Sequence, residues 1–312
     1  ARELVTQDRV FAILSPLGTP TAQAAMRQAL SRGVLYLFPL TASEEAYHPV
    51  EPLKFAVTPS HRFAVQEGLR RILNARGAMR VGVLASNDDF GRAVKLGAED
   101  ELTRRGLELV ATEFFDRNPA GAAADVPADA VAENLADAIS KLRAARVDVV
   151  VLGIEAQEAL GVLRAASAKS WRPMFLCSSA CYLPEVATLG GTAAEGLYAV
   201  GQMPIPAPED KRLRDWAARY EKVYSKVATV QALTAYRNAR LFLTVLRQTG
   251  PNPTQGAFAR MLETRGTWTD PVLGGLPIEF SASNHLGSHG SLLAQIRSGR
   301  WSVLADNLPR RP

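Results

Sequence analysis

Apolar positions along the chain gather into short runs that alternate with stretches of helical spacing. Val10–Leu14 is a compact apolar run and predicts a strand. Ser15-Pro-Leu-Gly-Thr-Pro-Thr21 follows, then a helical pattern through Arg32, with Thr19 and Pro20 as the expected N-cap and first-turn pair and Gly33 as the stop. The pattern next predicts a strand at Val34–Phe38, a helix capped by Ser60 and stopped at Gly77, and a strand at Arg80–Ala85. A helix at Phe90–Arg105 and a strand at Leu107–Phe115 come after it. Beyond a loop rich in Ala, Pro and Asp (Asp116–Asp129), helices at Ala130–Ala145 and Glu158–Ala168 flank the strand Asp148–Ile154. Strands at Met174–Cys177 and Leu197–Val200 enclose one more short helix. Near-continuous apolar strands alternating with helices imply parallel sheets covered on both faces, an α/β architecture.

The alternation breaks at the Pro-rich stretch Met203-Pro-Ile-Pro-Ala-Pro208. Three helical patterns follow, at Lys211–Ser225, Val230–Thr249 and Thr254–Arg265, with no strong strand between them. Strands return at Leu276–Phe280 and Ser291–Ile296, joined by the turn-rich Ser281–Gly290, and at Trp301–Leu304. Ala1–Arg9 reads as the end of an amphipathic helix and lacks the basic-then-apolar pattern of a signal peptide; the leader of an exported protein would already be gone.

Composition excludes more than it adds. With 47% hydrophobic, 21% charged and 7% aromatic residues among 312, the chain is globular rather than disordered, collagen-like or a disulfide-rich miniprotein. Its length suits one large or two ordinary domains. No apolar run approaches the ~20 residues of a membrane-spanning helix. The charge of +5 comes from scattered arginines, whose only clusters are Arg70-Arg71, Arg104-Arg105 and Arg310-Arg311. The first two fall near expected helix C-termini, where cations complement the helix dipole, so no nucleic-acid partner is implied. Cys177 and Cys181 have the spacing of neither a redox pair nor half a zinc site. Two small buried thiols are favoured there, although a disulfide is geometrically possible.

A search for reactive constellations comes back nearly empty. In Gly191-Thr-Ala-Ala-Glu-Gly196, Leu197-Tyr198 stand where a phosphate-binding loop needs Lys and Ser or Thr. No dinucleotide fingerprint or nucleophile elbow is present. His285 and His289 are four apart, but Asn-His-Leu-Gly-Ser-His-Gly is a turn, not a helix that would align them on a metal. No nucleophile, base and orienting group can be picked out, and no cofactor or metal is implied, which favours a binder over an enzyme.

Four segments, in order, resemble one family. Asp8-Arg-Val-Phe-Ala-Ile-Leu-Ser-Pro-Leu-Gly-Thr-Pro-Thr-Ala22 is similar to the third strand and ligand loop of leucine/isoleucine/valine-type periplasmic substrate-binding proteins of ABC transporters. Phe38-Pro-Leu-Thr-Ala-Ser-Glu44 resembles their next strand-end loop, and Ser86-Asn-Asp-Asp-Phe-Gly91 the loop opening the second lobe. Pro277-Ile-Glu-Phe-Ser-Ala-Ser-Asn-His-Leu-Gly-Ser288 resembles their late hairpin. The resemblance implies the type I periplasmic-binding-protein-like fold: α/β, two doubly wound parallel-sheet lobes joined by a three-strand hinge and closing on a small molecule. Lobe one would be 1–79 with 203–282, and lobe two 80–202 with 283–312.

The same resemblance implies an extracytoplasmic, monomeric solute receptor. It would bind a small carboxylate-bearing ligand (an amino acid, an amide, or an aromatic or branched carboxylate) between the lobes and deliver it to a membrane permease. A ligand-sensing domain of the same fold, feeding a regulator or receptor, is the alternative; an enzyme using Glu155 or His285 is a third reading. Leu17, Gly18, Thr19 and Thr21 open a helix at the carboxyl end of a strand, where free backbone N–H groups and hydroxyls suit a carboxylate. Thr19 acting only as a helix cap is the competing reading. Leu40, Thr41 and Ala42 match the loop that contacts the same head group in the family, and Phe90 the aromatic that packs on the ligand, or else a core residue. Ser179 stands where amino-acid-binding members carry the acid that receives the ligand ammonium; Glu155 could take that part instead. Without it a buried ammonium would be unpaired, and a carboxylate lacking an amine becomes an equally good ligand.

The family begins with a strand–helix–strand unit upstream of the segment matched by Val10–Leu14. Without that unit this apolar strand becomes a bare sheet edge, so the chain is expected to be a fragment.

Overall fold

The computed structural model describes residues 1–77, 79–116, 128–203, 205 and 210–305. Most of the Asp116–Asp129 loop, most of the Pro-rich stretch and the Arg310-Arg311 pair lie outside them. Packing divides the chain into two units, Ala1–Ser60 with Gln202–Gly290, and His61–Gly201 with the strands from Ser291 on. The first boundary thus falls at Ser60/His61, where the sequence reading has it after Met79, and residues 283–290 group with the first unit rather than the second.

The first unit opens with α1 (Arg2–Thr6), β1 (Ala12–Leu14), α2 (Thr19–Leu30), β2 (Leu35–Leu37) and β3 (Lys54–Phe55). The three strands form a parallel sheet in the order β1-β2-β3, with β1 at an edge. β3 has only two residues and escapes a periodicity test.

The second unit holds α3 (His61–Arg76), β4 (Val81–Ser86), α4 (Asp89–Thr103), β5 (Ala111–Phe115) and α5 (Ala128–Ala144). It continues with β6 (Val149–Gly153), α6 (Ala156–Ala168), β7 (Met174–Cys177), α7 (Pro184–Ala194) and β8 (Tyr198–Gly201). The chain then adds α8 (Lys211–Tyr224), α9 (Val230–Thr249), α10 (Gln255–Thr264), β9 (Trp268–Asp270) and β10 (Gly274–Ile278) to the first unit. It ends with β11 (Leu292–Arg297) and β12 (Arg300–Ala305) in the second.

The second unit's sheet runs β12-β11-β8-β7-β6-β4-β5, parallel from β8 to β5 and closed by the antiparallel pair β11 and β12. β4 leads through α4 to β5 on one side, and β6 through α6 to β7 on the other. Right-handed crossovers therefore put α4 and α6 on opposite faces, the doubly wound arrangement. Val81, Val83, Val149, Val151 and Leu176 pack against Val65, Leu69, Val94 and Leu102 of α3 and α4. A Cβ on Gly97 would sit 2.3 Å from the Arg62 carbonyl oxygen, so only glycine lets those two helices approach so closely. Asp100 accepts two hydrogen bonds from the Arg62 guanidinium across the same contact, and Arg105 reaches Asn74 Oδ1 at 2.5 Å. This packing places α3 in the second unit. Of the two described arginine clusters, Arg70 pairs with Glu67 within α3 rather than at its C-terminus, and Arg105 pairs with buried Glu101 at 2.6 Å.

In the first unit, Leu35, Leu37, Phe38 and Phe55 pack against Leu241, Val245, Phe258 and Leu262. Helix α9 also carries polar anchors. Arg240 pairs with Asp270 at 2.6 Å, and buried Arg237 donates to the Leu276 carbonyl while its guanidinium lies 5.3 Å from the Trp268 ring centroid. These hold the β9–β10 pair. Residues Leu276–Phe280 and Ser291–Ile296, expected as strands joined by a turn, do not pair with each other: β10 pairs with β9, and β11 with β8 and β12. A tight turn between Ser281 and Asn284 sends Leu286 and Gly287 beside Ala56, which keeps the segment in the first unit.

Candidate ligand-binding site

The ends of β1 and β2 carry the first group of sequence-predicted residues. Their loops stay paired beyond the strands: Leu40 N–H donates to the Pro16 carbonyl at 2.8 Å, and Gly18 N–H to the Leu40 carbonyl at 3.4 Å. Leu17 and Leu40 are thereby bridged in parallel, with the Leu17 side chain exposed. Helix α2 begins at Thr19, so Thr19 is its first residue, not its cap. The cap position is Gly18, which has φ 86° and no side chain to offer the first turn. Thr21 Oγ1 turns back to the Leu17 and Gly18 carbonyls and leaves the helix start uncapped. First-turn amides have no partner within a helix, and Pro20 lacks the group altogether, so the N–H groups of Thr19 and Thr21 are the donors this end presents.

Relieved of capping, the Thr19 hydroxyl lies 2.8 Å from the hydroxyl of Thr41, which is buried in the loop after β2. Thr41 Oγ1 also accepts from Ser43 N–H at 3.3 Å, and Ala42 is buried beside it. Two hydroxyls own two hydrogens, and their mutual bond uses one; the other is left for an external acceptor. Two backbone amides at a helix start and one hydroxyl proton make a small, uncharged anion cradle. The cap-only reading of Thr19 is set aside by this geometry.

The remaining sequence-predicted residues sit at the carboxyl ends of β4, β6 and β7. The switch in strand order falls between β4 and β6, the position where open α/β sheets form a crevice. Ser86 Oγ ties the two strand ends together, donating to Asp88 Oδ1 at 2.8 Å and lying 3.3 Å from the Gly153 carbonyl. Asp88 caps α4 by accepting from Gly91 N–H at 2.9 Å. Phe90 is buried in the unit's core, edge-to-face with His61 at 4.7 Å. His61 is itself buried, which pushes its pKa down to about 4, with Asp88 pulling the other way. Glu155 caps α6 in a reciprocal box: its side chain accepts from the Glu158 amide, and Glu158 Oε2 accepts from Glu155 N–H at 2.8 Å. Ser179 opens a single 3-10 turn after β7, started by Ser178 Oγ accepting from Ala180 N–H at 3.3 Å. That turn brings the Cα atoms of Cys177 and Cys181 to 6.0 Å, and the two cysteines are joined in a disulfide rather than held as separate thiols.

The residues considered for catalysis are structurally employed. Buried His285 stacks on Phe55 at 3.9 Å, with Nδ1 2.8 Å from the Lys54 carbonyl and Nε2 3.2 Å from Glu263. His289 Nε2 lies 3.0 Å from Asn284 Nδ2. Among the described residues no group of three His, Cys, Asp or Glu could hold a metal ion, and no helix is long and apolar enough to cross a membrane.

Such strand-end loops on two α/β units agree with the match to known proteins. The periplasmic binding protein family matches residues 1–300. The chain belongs to that family. As a periplasmic binding protein it is a solute receptor rather than an enzyme, and membership implies an extracytoplasmic location. Among solved structures, the chain is similar to a substrate-binding periplasmic protein of Ralstonia solanacearum, at 24% identity and a TM-score of 0.77, covering 94% of this chain and 80% of that one. It is also similar to a possible leucine/isoleucine/valine-binding protein of Rhodopirellula baltica SH 1 (18%, TM-score 0.81, 97% and 80% covered). A third is a branched-chain amino acid ABC transporter protein of Thermus thermophilus with bound valine (17%, TM-score 0.79, 98% and 80% covered). At these identities the likeness establishes the fold. No curated protein matches the chain.

Sequence reasoning passed over three residues that lie at the base of these loops: Ser15, Phe38 and Asn238, whose amide bonds to both of the others. Asn238 left a readable signal. It is a buried polar residue of α9, whose buried positions also include Leu233, Leu241 and Val245.

Proposed function

We propose that this periplasmic binding protein takes up a small carboxylate-bearing ligand, holds its carboxylate at the Thr19–Thr41 cradle, and delivers it to a membrane permease of an ABC transporter. In the second unit, Ser179 and Glu155 are the strand-end residues that the sequence offers for the rest of the ligand. One observation carries the reading: the 2.8 Å hydroxyl pair at a helix start that no side chain caps. An anion is the group such donors recognise, and no arginine or lysine is required.

The ligand class follows from the other end of the molecule. Ser179 is neutral, and the Glu155 carboxylate is engaged with the amide end of α6. An ammonium there would share the carboxylate with the cap, whereas an aromatic or branched aliphatic chain needs no such partner. Carboxylates without an α-amine therefore fit as well as amino acids.

A thermal-shift screen of matched amino acids, their des-amino acids and the corresponding amides tests this, because a ligand bound only by the folded state raises Tm. The expected result is a shift with des-amino carboxylates and none with amides. A panel of carboxylates that leaves Tm unmoved would refute the reading.

A further inference from the structure

We infer that Asn238 of α9 is the positioning residue of the carboxylate cradle, one buried amide that sets the backbone of both ligand loops. The inference rests on the cradle reading above, and its first readout needs no ligand.

Both loops leave their strands through the same unusual conformation. Ser15, just after β1, has φ 52°, and Phe38, just after β2, has φ 51°. Left-handed backbone is uncommon outside glycine, and for a bulky aromatic residue it needs external support. The support is shared. Asn238 Nδ2 donates to Ser15 Oγ at 3.1 Å and to the Phe38 carbonyl oxygen at 3.2 Å. Ser15 N–H in turn donates to the Leu37 carbonyl at 2.9 Å, so the two turns are also tied to each other.

Asn238 is fully buried, and its Oδ1 has no hydrogen-bond partner. A buried acceptor left unpaired is a cost that leucine, of similar size, would avoid on this face of α9. What the amide supplies and leucine cannot is the pair of donors. Thr19 lies four positions after Ser15, and Thr41 three after Phe38, so fixing the two turns fixes the approach of the two hydroxyls. Asn238 touches no ligand in this account and acts through the loops.

The test is hydrogen–deuterium exchange on the ligand-free protein, comparing wild type, Asn238→Leu and the double variant Asn238→Leu/Ser15→Gly. In Asn238→Leu, exchange in peptides spanning 16–21 and 39–43, whose protection rests on the bonded Gly18 and Leu40 amides, is expected to rise about tenfold or more, the loss of one or two hydrogen bonds' worth of protection. Peptides spanning β9 and β10, which α9 holds through Arg237 and Arg240, are expected to stay protected. Glycine at 15 accepts a positive φ without strain, so the double variant is expected to regain protection in the first loop only. Should Asn238→Leu fail to fold, Ser15→Ala removes half of the clamp and is expected to loosen 16–21 alone. Unchanged exchange in both loops, or a uniform rise across the first unit, would overturn the inference. If the loops loosen while Thr19→Val leaves carboxylate binding intact, the positioning role stands and the binding reading falls.

Discussion

The hydroxyls of Thr19 and Thr41 meet at 2.8 Å although they ride on separate loops, one opening α2 and the other following β2. Thr19 does not cap its own helix, and Thr41 joins the pair while also accepting from Ser43 N–H in its own turn. The pair is made possible by Gly18, which occupies the cap position without a capping group.

Removing either hydroxyl is expected to weaken carboxylate binding. A hydrogen bond to a charged group contributes about 1.5–3 kcal/mol, so Thr19→Val or Thr41→Val should lower affinity roughly tenfold to a hundredfold. The ligand-free Tm should move little for Thr19, which is half-exposed, and somewhat more for buried Thr41. Calorimetric titration alongside thermal melts separates the two effects.

Gly18→Ala is expected to damage both stability and binding. Its φ of 86° with ψ 141° lies in a region L-residues rarely adopt, and a Cβ there would lie 2.9 Å from Thr21 Oγ1. The backbone strain is of order 1–3 kcal/mol. Urea unfolding should show a loss of that size, and ligand titration a weaker complex, because relief of the strain displaces the Thr19 amide.

Glu155→Gln tests the amine end. Glutamine keeps an oxygen for the Glu158 amide, so the cap of α6 should survive with a stability change of only about 0.5 kcal/mol. Affinity for a des-amino carboxylate should stay within about twofold, which is under ~0.5 kcal/mol. A large loss in that affinity would show that Glu155 contacts the ligand.

His61 makes stability fall on acidification. Its folded pKa of about 4 is below the ordinary 6.5, so between these values the unfolded chain binds more protons than the folded one. The contribution is fully present above pH 6.5 and is lost as pH falls from 6.5 to 4. The limiting loss is about 3 kcal/mol. Carboxylates titrate in the same range, so the comparison is with His61→Phe, whose urea midpoint should drop less between pH 7.5 and pH 5.

Much of this was legible in the residues, and what was not has physical reasons. Apolar runs such as Val149–Gly153 marked the parallel strands because both faces of that sheet are covered. Thr19 looked like a cap because Thr before a helix usually is one; one residue of shift made it the first helical residue, with its hydroxyl paired to Thr41. The pairing of β10 with β9, not β11, depends on the Ser281–Asn284 turn, whose direction no periodicity encodes. The Cys177–Cys181 bond depends on a single 3-10 turn that compresses four residues to 6.0 Å. Asn238 acts on residues 223 and 200 positions away, and such distances leave no local signature beyond a polar residue on an apolar face.

The central claim is that the Thr19–Thr41 cradle recognises a carboxylate. Isothermal titration of the wild-type protein and a Thr19→Val/Thr41→Val double variant, each against one branched or aromatic carboxylic acid and its primary amide, tests it most directly. The account predicts saturable binding of the acid by wild type, at least tenfold weaker binding of the amide, and loss of that preference in the double variant. Equal affinity for acid and amide, or a preference that survives removal of both hydroxyls, would contradict it.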